Sequence, residues 1–144
     1  GYRAQVWEWC DKLGLPRIVD MRDKIDAATL HGLFRDAAAF LCMSEHEGFC
    51  VPIVEAQSSG LPVVSVGSTA LRDTVGVDQI VVDPPRAGAD YVYIARLLHA
   101  VCTDASLRRH LVSGGYRNAL SRFAQPAVAD RFMGALAPIL ESLA

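Results

Sequence analysis

The sequence predicts an α/β protein: a doubly wound parallel sheet with helices on both faces and a helical C-terminal third. Three observations carry that expectation. Short apolar runs with the bulk of buried strands (Ala37–Met43, Pro62–Val66 and Ile80–Val82) alternate with helical segments. The stretch Ser44–Pro62, SEHEGFCVPIVEAQSSGLP, reads as a loop leaving a strand and entering a helix with marked ends. From about Asp90 onward the chain reads as helix.

Taken in order, Gly1–Leu13 is amphipathic at helical spacing, with Val6, Trp9, Cys10 and Leu13 on one side and Gly14 as a stop. Ile18–Met21 is a short strand candidate, followed by the charged Arg22-Asp23-Lys24. Asp26 reads as the N-cap of a helix through Arg35 that buries Leu30, Leu33 and Phe34. After the strand Ala39–Met43 and its loop, Pro52 supplies the fixed φ suited to a first helical turn. That helix runs to Ser59, Gly60 takes a left-handed C-cap, and Pro62 cannot continue it. The strand Val63–Val66 leads into Gly67-Ser68-Thr69, a second strand-to-helix loop, and a short helix to about Val75. Ile80–Val82 is the last strand, closed by Asp83-Pro84-Pro85. Helices are expected over Asp90–Cys102, Ala105–Arg122 (capped by Asp104) and Pro126–Leu143. With no internal repeat and no low-complexity linker, residues 1–144 are expected to form one domain.

Composition narrows the function classes. An apolar content of 51% with 21% charged residues is that of an ordinary globular chain. A net charge of −2 gives no basic footprint for nucleic acid. The four cysteines, Cys10, Cys42, Cys50 and Cys102, have no C-x-x-C spacing, which favours free thiols in a reducing cytosol. The sequence shows no signal peptide and no apolar run of the roughly 20 residues needed to span a bilayer. The expected location is cytoplasmic, and peripheral association with the inner face of the membrane stays open. His46 has no second His or Cys at ligand spacing, so no metal site is expected.

In open α/β sheets, ligands bind at loops leaving the carboxyl ends of strands. The loop after Ala37–Met43 carries Glu47 and Gly48, and Glu55 is expected in the first turn of the following helix. Carboxylates accept paired hydrogen bonds from vicinal hydroxyls, which suits a sugar and a ribose. The helix start after Val51 offers unpaired N–H groups and a positive dipole end, which suits phosphate. Gly48 lets backbone come close to a ligand. Together these features describe a nucleotide-sugar site. Singly, each has a plainer reading: Glu55 as a dipole-stabilising acid, Phe49 as a core plug, His46 as a solvated or capping histidine.

The string Glu47–Glu55, EGFCVPIVE, resembles the Glu-x7-Glu signature of the retaining glycosyltransferases of family four, the glycosyl transferases group 1 domain. Cys50 stands where many members carry a second glycine. Weaker matches extend over Ile18–Ile25, Ala70–Gly76 (ALRDTVG) and Asp104–Phe123. The resemblance implies a Rossmann-like fold, the C-terminal, donor-binding half of a GT-B enzyme. It also implies sugar transfer of the hexosyltransferase type, with retention of configuration and no metal cofactor. By the same resemblance Glu47 contacts the donor sugar and is the catalytic residue. The backbone of Gly48, Phe49 and Cys50 lines sugar and diphosphate, and Val51 faces phosphate. Glu55 holds the ribose, and backbone near Ile25 edges the nucleobase. The partners implied are a nucleotide-sugar donor, an N-terminal GT-B half and an acceptor that is a saccharide or a lipid-linked glycan. The family's basic residues on the diphosphate precede the matched region, so this chain is expected to be an N-terminally truncated piece, inactive alone.

Two other readings compete. A non-catalytic Rossmann-like interaction module is favoured by Asp23 and Ala38, which replace the family's usual glycine and aspartate. Another GT-B enzyme, such as a nucleotide-sugar epimerase, shares the architecture but does not account for EGFCVPIVE. A dinucleotide dehydrogenase is disfavoured because no G-x-G-x-x-G follows any expected strand.

Overall fold

The computed structural model describes residues 1–15 and 18–142. They fall into two compact units, Gly1–Leu30 and His31–Ala144. In the first, helix α1 (Tyr2–Lys12) ends before Gly14, whose φ of 70° is the left-handed stop the sequence predicts. The expected apolar face is only partly right. Cys10 is buried and Val6 and Trp7 are half-buried, but Trp9 and Leu13 are 64% and 66% exposed. Ile18–Met21 is not a strand, which corrects the sequence reading. A strand is stable only when paired. Here the Arg3 guanidinium takes up the Met21 carbonyl and the Asp23 carboxylate instead.

Helix α2 (Ala27–Asp36) begins where expected: the Asp26 carboxylate accepts the Thr29 N–H at 2.7 Å. That bond holds the Asp26 carboxyl below the usual carboxylate range. Phe34 is buried and Leu30 half-buried, whereas Leu33, expected inside, is exposed.

The second unit is a parallel sheet flanked by helices, the predicted α/β class. Its strands are β1 (Phe40–Cys42), β2 (Val63–Val66) and β3 (Ile80–Val82), hydrogen-bonded in the order β1-β2-β3. Phe40 pairs with Val63 and Val64 with Ile80, both in parallel register. Every residue of β2 is buried, as the continuous run PVVSV predicts for a central strand. The intervening helices are α3 (Val51–Ser58) and α4 (Leu71–Val75). The helical third comprises α5 (Gly88–Thr103), α6 (Ala105–Phe123) and α7 (Gln125–Glu141). Leu143, the expected end of the last helix, lies outside the described residues.

Local chemistry sets the helix ends. Gly60, at φ 74°, donates its N–H to the Gln57 carbonyl at 3.1 Å, and Leu61 donates to Ala56 at 2.9 Å. This pair of bonds closes the last turn of α3. The Asp104 carboxylate accepts the N–H groups of Ser106 and Leu107 and opens α6. Those amides hold its carboxyl below the usual range.

The core forms where β2 meets the terminal helices. Val64, Val101 and Leu111 are buried together, with Leu98 and Leu107 packed against them. On α3, Ile53, Ala56 and Gln57 are fully buried. A buried amide needs its bonds made. Gln57 donates to the Val75 carbonyl at 2.7 Å and accepts from Asn118 of α6 at 2.8 Å. Gly114 and Gly115 let α6 come this close. A Cβ on Gly115 would stand 3.0 Å from Gln57 Cγ, and one on Gly114 would stand 3.0 Å from the Asp78 carbonyl oxygen and closer still to its Cβ.

Cys50 caps α3 from a left-handed backbone, φ 64°, and its Sγ lies 3.9 Å from that of Cys42 at the end of β1. Burial, then the neighbouring Cys42 and Glu47, push the Cys50 thiol from 9.0 up to about 11. It is therefore protonated and a poor nucleophile at neutral pH.

Two outcomes follow from this packing. Ala normally favours an exposed helix interior over Gly by about 1 kcal/mol. The steric conflict at Gly114 is of the kind that costs about 1–3 kcal/mol. Gly114→Ala should therefore lower the melting temperature, and a rise would show that α6 does not sit this close. For Cys50, the unfolded chain loses its thiol proton above pH 9 while the folded chain keeps it, so stability declines as pH rises toward 11. Cys50→Ser should flatten that decline in denaturant melts between those limits, and identical slopes would contradict the burial of this thiol.

Candidate functional site

The carboxyl ends of the three strands open into three loops, and side chains stitch them together. Ser68 Oγ, after β2, donates to the Ser44 carbonyl, after β1, at 2.6 Å. The Thr69 hydroxyl accepts the Glu47 N–H at 2.9 Å and donates to the Glu47 carbonyl at 2.8 Å. Arg72 of α4 donates to the Gly67 carbonyl at 3.1 Å and to the Asp83 carboxylate, after β3, at 2.5 Å. Ser68, Thr69 and Arg72 were not singled out from sequence as site residues. The available signal was a pair of hydroxyl residues opening the loop beside the acidic one.

Glu47 lies on the loop after β1, half-buried. Glu55 lies on α3, also half-buried, but beyond the first turn where the sequence reading placed it. Dipole stabilisation falls off within that first turn, so it does not explain Glu55. Among the described residues, neither carboxylate has a hydrogen-bond or ion-pair partner.

Between them, Gly48 and Val51 are exposed and Cys50 is half-buried. Cys50 gives no side-chain cap, and the N–H groups of Gly48, Phe49, Cys50 and Val51 find no acceptor among the described residues. A run of free amides at a helix start attracts anions. Phe49 is a packing residue on one side, since its ring meets Phe123 edge-on at 5.2 Å, and it remains 40% exposed. His46 is exposed, with its carbonyl accepting from Ser44 Oγ at 3.3 Å. Ile25 belongs to the first unit, where its side chain is exposed.

Two clefts among the described residues are lined by neighbouring segments. One, about 530 Å³, follows β3 and is lined by Asp83, Arg86 and Tyr93 among others. The other, about 350 Å³ and more apolar, takes Leu41, Met43 and Glu45 from the β1 side and Tyr91 and Leu98 from α5. None of Glu47–Glu55 lines either cleft. Among the described residues no group of three or more His, Cys, Asp or Glu stands together as metal ligands. No described helix is long and apolar enough to cross a membrane.

A model of the family "Glycosyl transferases group 1" matches residues 1–117. The chain is 32% identical over 126 residues to D-inositol 3-phosphate glycosyltransferase of Thermobifida fusca, covering 83% of this chain and 27% of that protein. It is 32% identical over 121 residues to MMP alpha-(1->4)-mannosyltransferase of Mycolicibacterium hassiacum, covering 82% and 28%. Over a shorter stretch of 66 residues it is 39% identical to O-antigen chain mannosyltransferase B of Escherichia coli, covering 46% and 17%. The chain thus spans a quarter or so of the length of the first and second of these. Among solved structures it is similar to sucrose-phosphate synthase from Thermosynechococcus elongatus, with a TM-score of 0.75 and 25% identity over 99% of this chain and 35% of that one. A three-stranded parallel sheet flanked by helices, with a helical end, fits the Rossmann-like half of a GT-B fold. The chain belongs to the glycosyl transferases group 1 family.

Proposed function

We propose that this chain is the donor-binding part of a retaining hexosyltransferase and binds a nucleoside-diphosphate sugar at the Glu47–Glu55 loop. The observation that carries this reading is a pair of half-buried carboxylates that have no partner among the described residues, separated by a run of amides equally unbonded there. Carboxylates left open can accept vicinal hydroxyls, and free amides at a helix start can accept a diphosphate.

Glu47 receives the hydroxyls of the donor sugar. The amides of Gly48, Phe49 and Cys50 approach the sugar and diphosphate, and Val51 with the start of α3 faces phosphate. Glu55, further along α3, receives the ribose hydroxyls. In transfer, negative charge grows on the leaving diphosphate while the sugar gains oxocarbenium character. Fixed amide dipoles near the phosphates stabilise the first, and the Glu47 carboxylate favours the second. This chemistry assigns no step to a metal. The acceptor is a saccharide or lipid-linked glycan bound by an N-terminal GT-B half. The place of action is the cytoplasm or the inner membrane face.

Ligand-observed NMR with UDP-glucose, GDP-mannose and ADP-glucose tests the reading. Because two of the relatives are named mannosyltransferases, GDP-mannose is the first probe. A hydrogen bond to a charged group contributes about 1.5–3 kcal/mol, so Glu55→Ala should weaken the bound donor at least about tenfold. Unchanged binding in that variant would remove Glu55 from the site. In a transferring form of the protein, Glu47→Ala should lower kcat more than it raises KM, with the reverse for Glu55→Ala. Equal effects on both constants at both positions would contradict this division of roles.

A further inference from the structure

Glu47 stands on a loop outside any helix or strand, so nothing in the sheet ladder fixes its backbone. One side chain does. The Thr69 hydroxyl accepts the Glu47 N–H at 2.9 Å and donates to the Glu47 carbonyl at 2.8 Å. It therefore grips both peptide groups flanking the Cα that carries the carboxylate. The grip comes from a different loop, 22 residues further along the chain.

The backbone at Thr69 is unusual. Its φ is 41°, a conformation that glycine adopts freely and a β-branched residue rarely does. Such positions persist where the surroundings over-determine them. Here the over-determining contacts are the two bonds to Glu47 and, beside them, the bond from Ser68 Oγ to the Ser44 carbonyl at 2.6 Å. Folding the turn alone would be served at least as well by glycine. The hydroxyl is what threonine adds.

We infer that Thr69 is a positioning residue for the proposed sugar-contacting carboxylate: its hydroxyl clamps the Glu47 backbone and so fixes where the Glu47 side chain starts. This rests on the assignment of Glu47 to the donor sugar. Thr69 itself need not touch the donor. Losing it should loosen Glu47 and the peptide group it shares with Gly48, and leave Val51, the start of α3 and Glu55 in place.

The test compares the wild-type chain with Thr69→Gly and Thr69→Ser. Amide hydrogen exchange at Glu47 reads the clamp without any ligand. The affinities of GDP-mannose, UDP-glucose and ADP-glucose, each set against GDP, UDP or ADP, read the part of binding owed to the sugar. Thr69→Gly should change the melting temperature little, because relief of the positive φ offsets the lost bonds. It should nonetheless speed Glu47 exchange about tenfold, as expected for two lost hydrogen bonds. The sugar-dependent part of affinity should fall by about the same factor, and binding of the bare nucleoside diphosphate should fall by clearly less. Thr69→Ser keeps the hydroxyl and should restore both readouts. Unaltered Glu47 exchange in Thr69→Gly would overturn the inference. So would an equal loss of affinity for the bare nucleoside diphosphate, which would mark a general structural effect. If no probe binds even the wild type, the donor assignment fails, and the exchange measurement alone still decides whether Thr69 clamps Glu47.

Discussion

The close approach of α6 to α3 is the contact on which the second unit depends. Gly115 removes the side chain that would stand against Gln57 of α3, its neighbour Gly114 does the same against Asp78 on the loop before β3, and Asn118 of α6 meets the buried Gln57 across the gap. Gln57 in turn holds the end of α4 through the Val75 carbonyl. A buried amide is costly when unbonded, so each partner constrains the next. With α3 fixed, its N-terminal end and the loop before it have a defined place above the sheet. Val64, Val101 and Leu111 supply the apolar burial that makes the arrangement worth its lost chain entropy.

Above that core, order comes from side chains reaching between loops. Ser68, Thr69 and Arg72 join the three loops at the carboxyl edge of the sheet. Exposed pairs such as Arg72–Asp83 contribute little to stability individually. Their effect is on geometry. Glu47, Glu55 and the amides between them have no partner among the described residues, which is the arrangement expected of groups kept for a ligand. Membership of the glycosyl transferases group 1 family gives those unpartnered groups a chemical context.

Much of this was legible in the sequence where the signals are local. Pro52, Gly60 and Asp104 mark helix ends through their own backbone or capping chemistry, and the structure places those ends within a residue or two. The run PVVSV named a buried strand because it has no polar face. The acid–glycine–aromatic string named the loop. Errors arose where a neighbour decides the outcome. Ile18–Met21 has strand-like residues but no paired strand, Trp9 and Leu33 have apolar side chains but too little cover to bury them, and Glu55 falls just past the first turn because α3 starts at Val51, one residue before Pro52. The loop ties were invisible for the same reason. Thr69 meets Glu47 across 22 residues, and the Arg122–Asp73 pair spans 49. No local pattern encodes such a contact.

The central claim is that a nucleotide-sugar donor binds the loop between β1 and α3. The most direct measurement is the change in backbone amide shifts of the isotopically labelled chain as GDP-mannose, UDP-glucose or ADP-glucose is added. The account predicts saturable shifts concentrated at Glu47–Val51, Glu55 and Thr69. Saturable shifts that instead gather around Asp83, Arg86 and Tyr93, with none on the Glu47–Glu55 loop, would contradict it and place the ligand in the cleft beside β3.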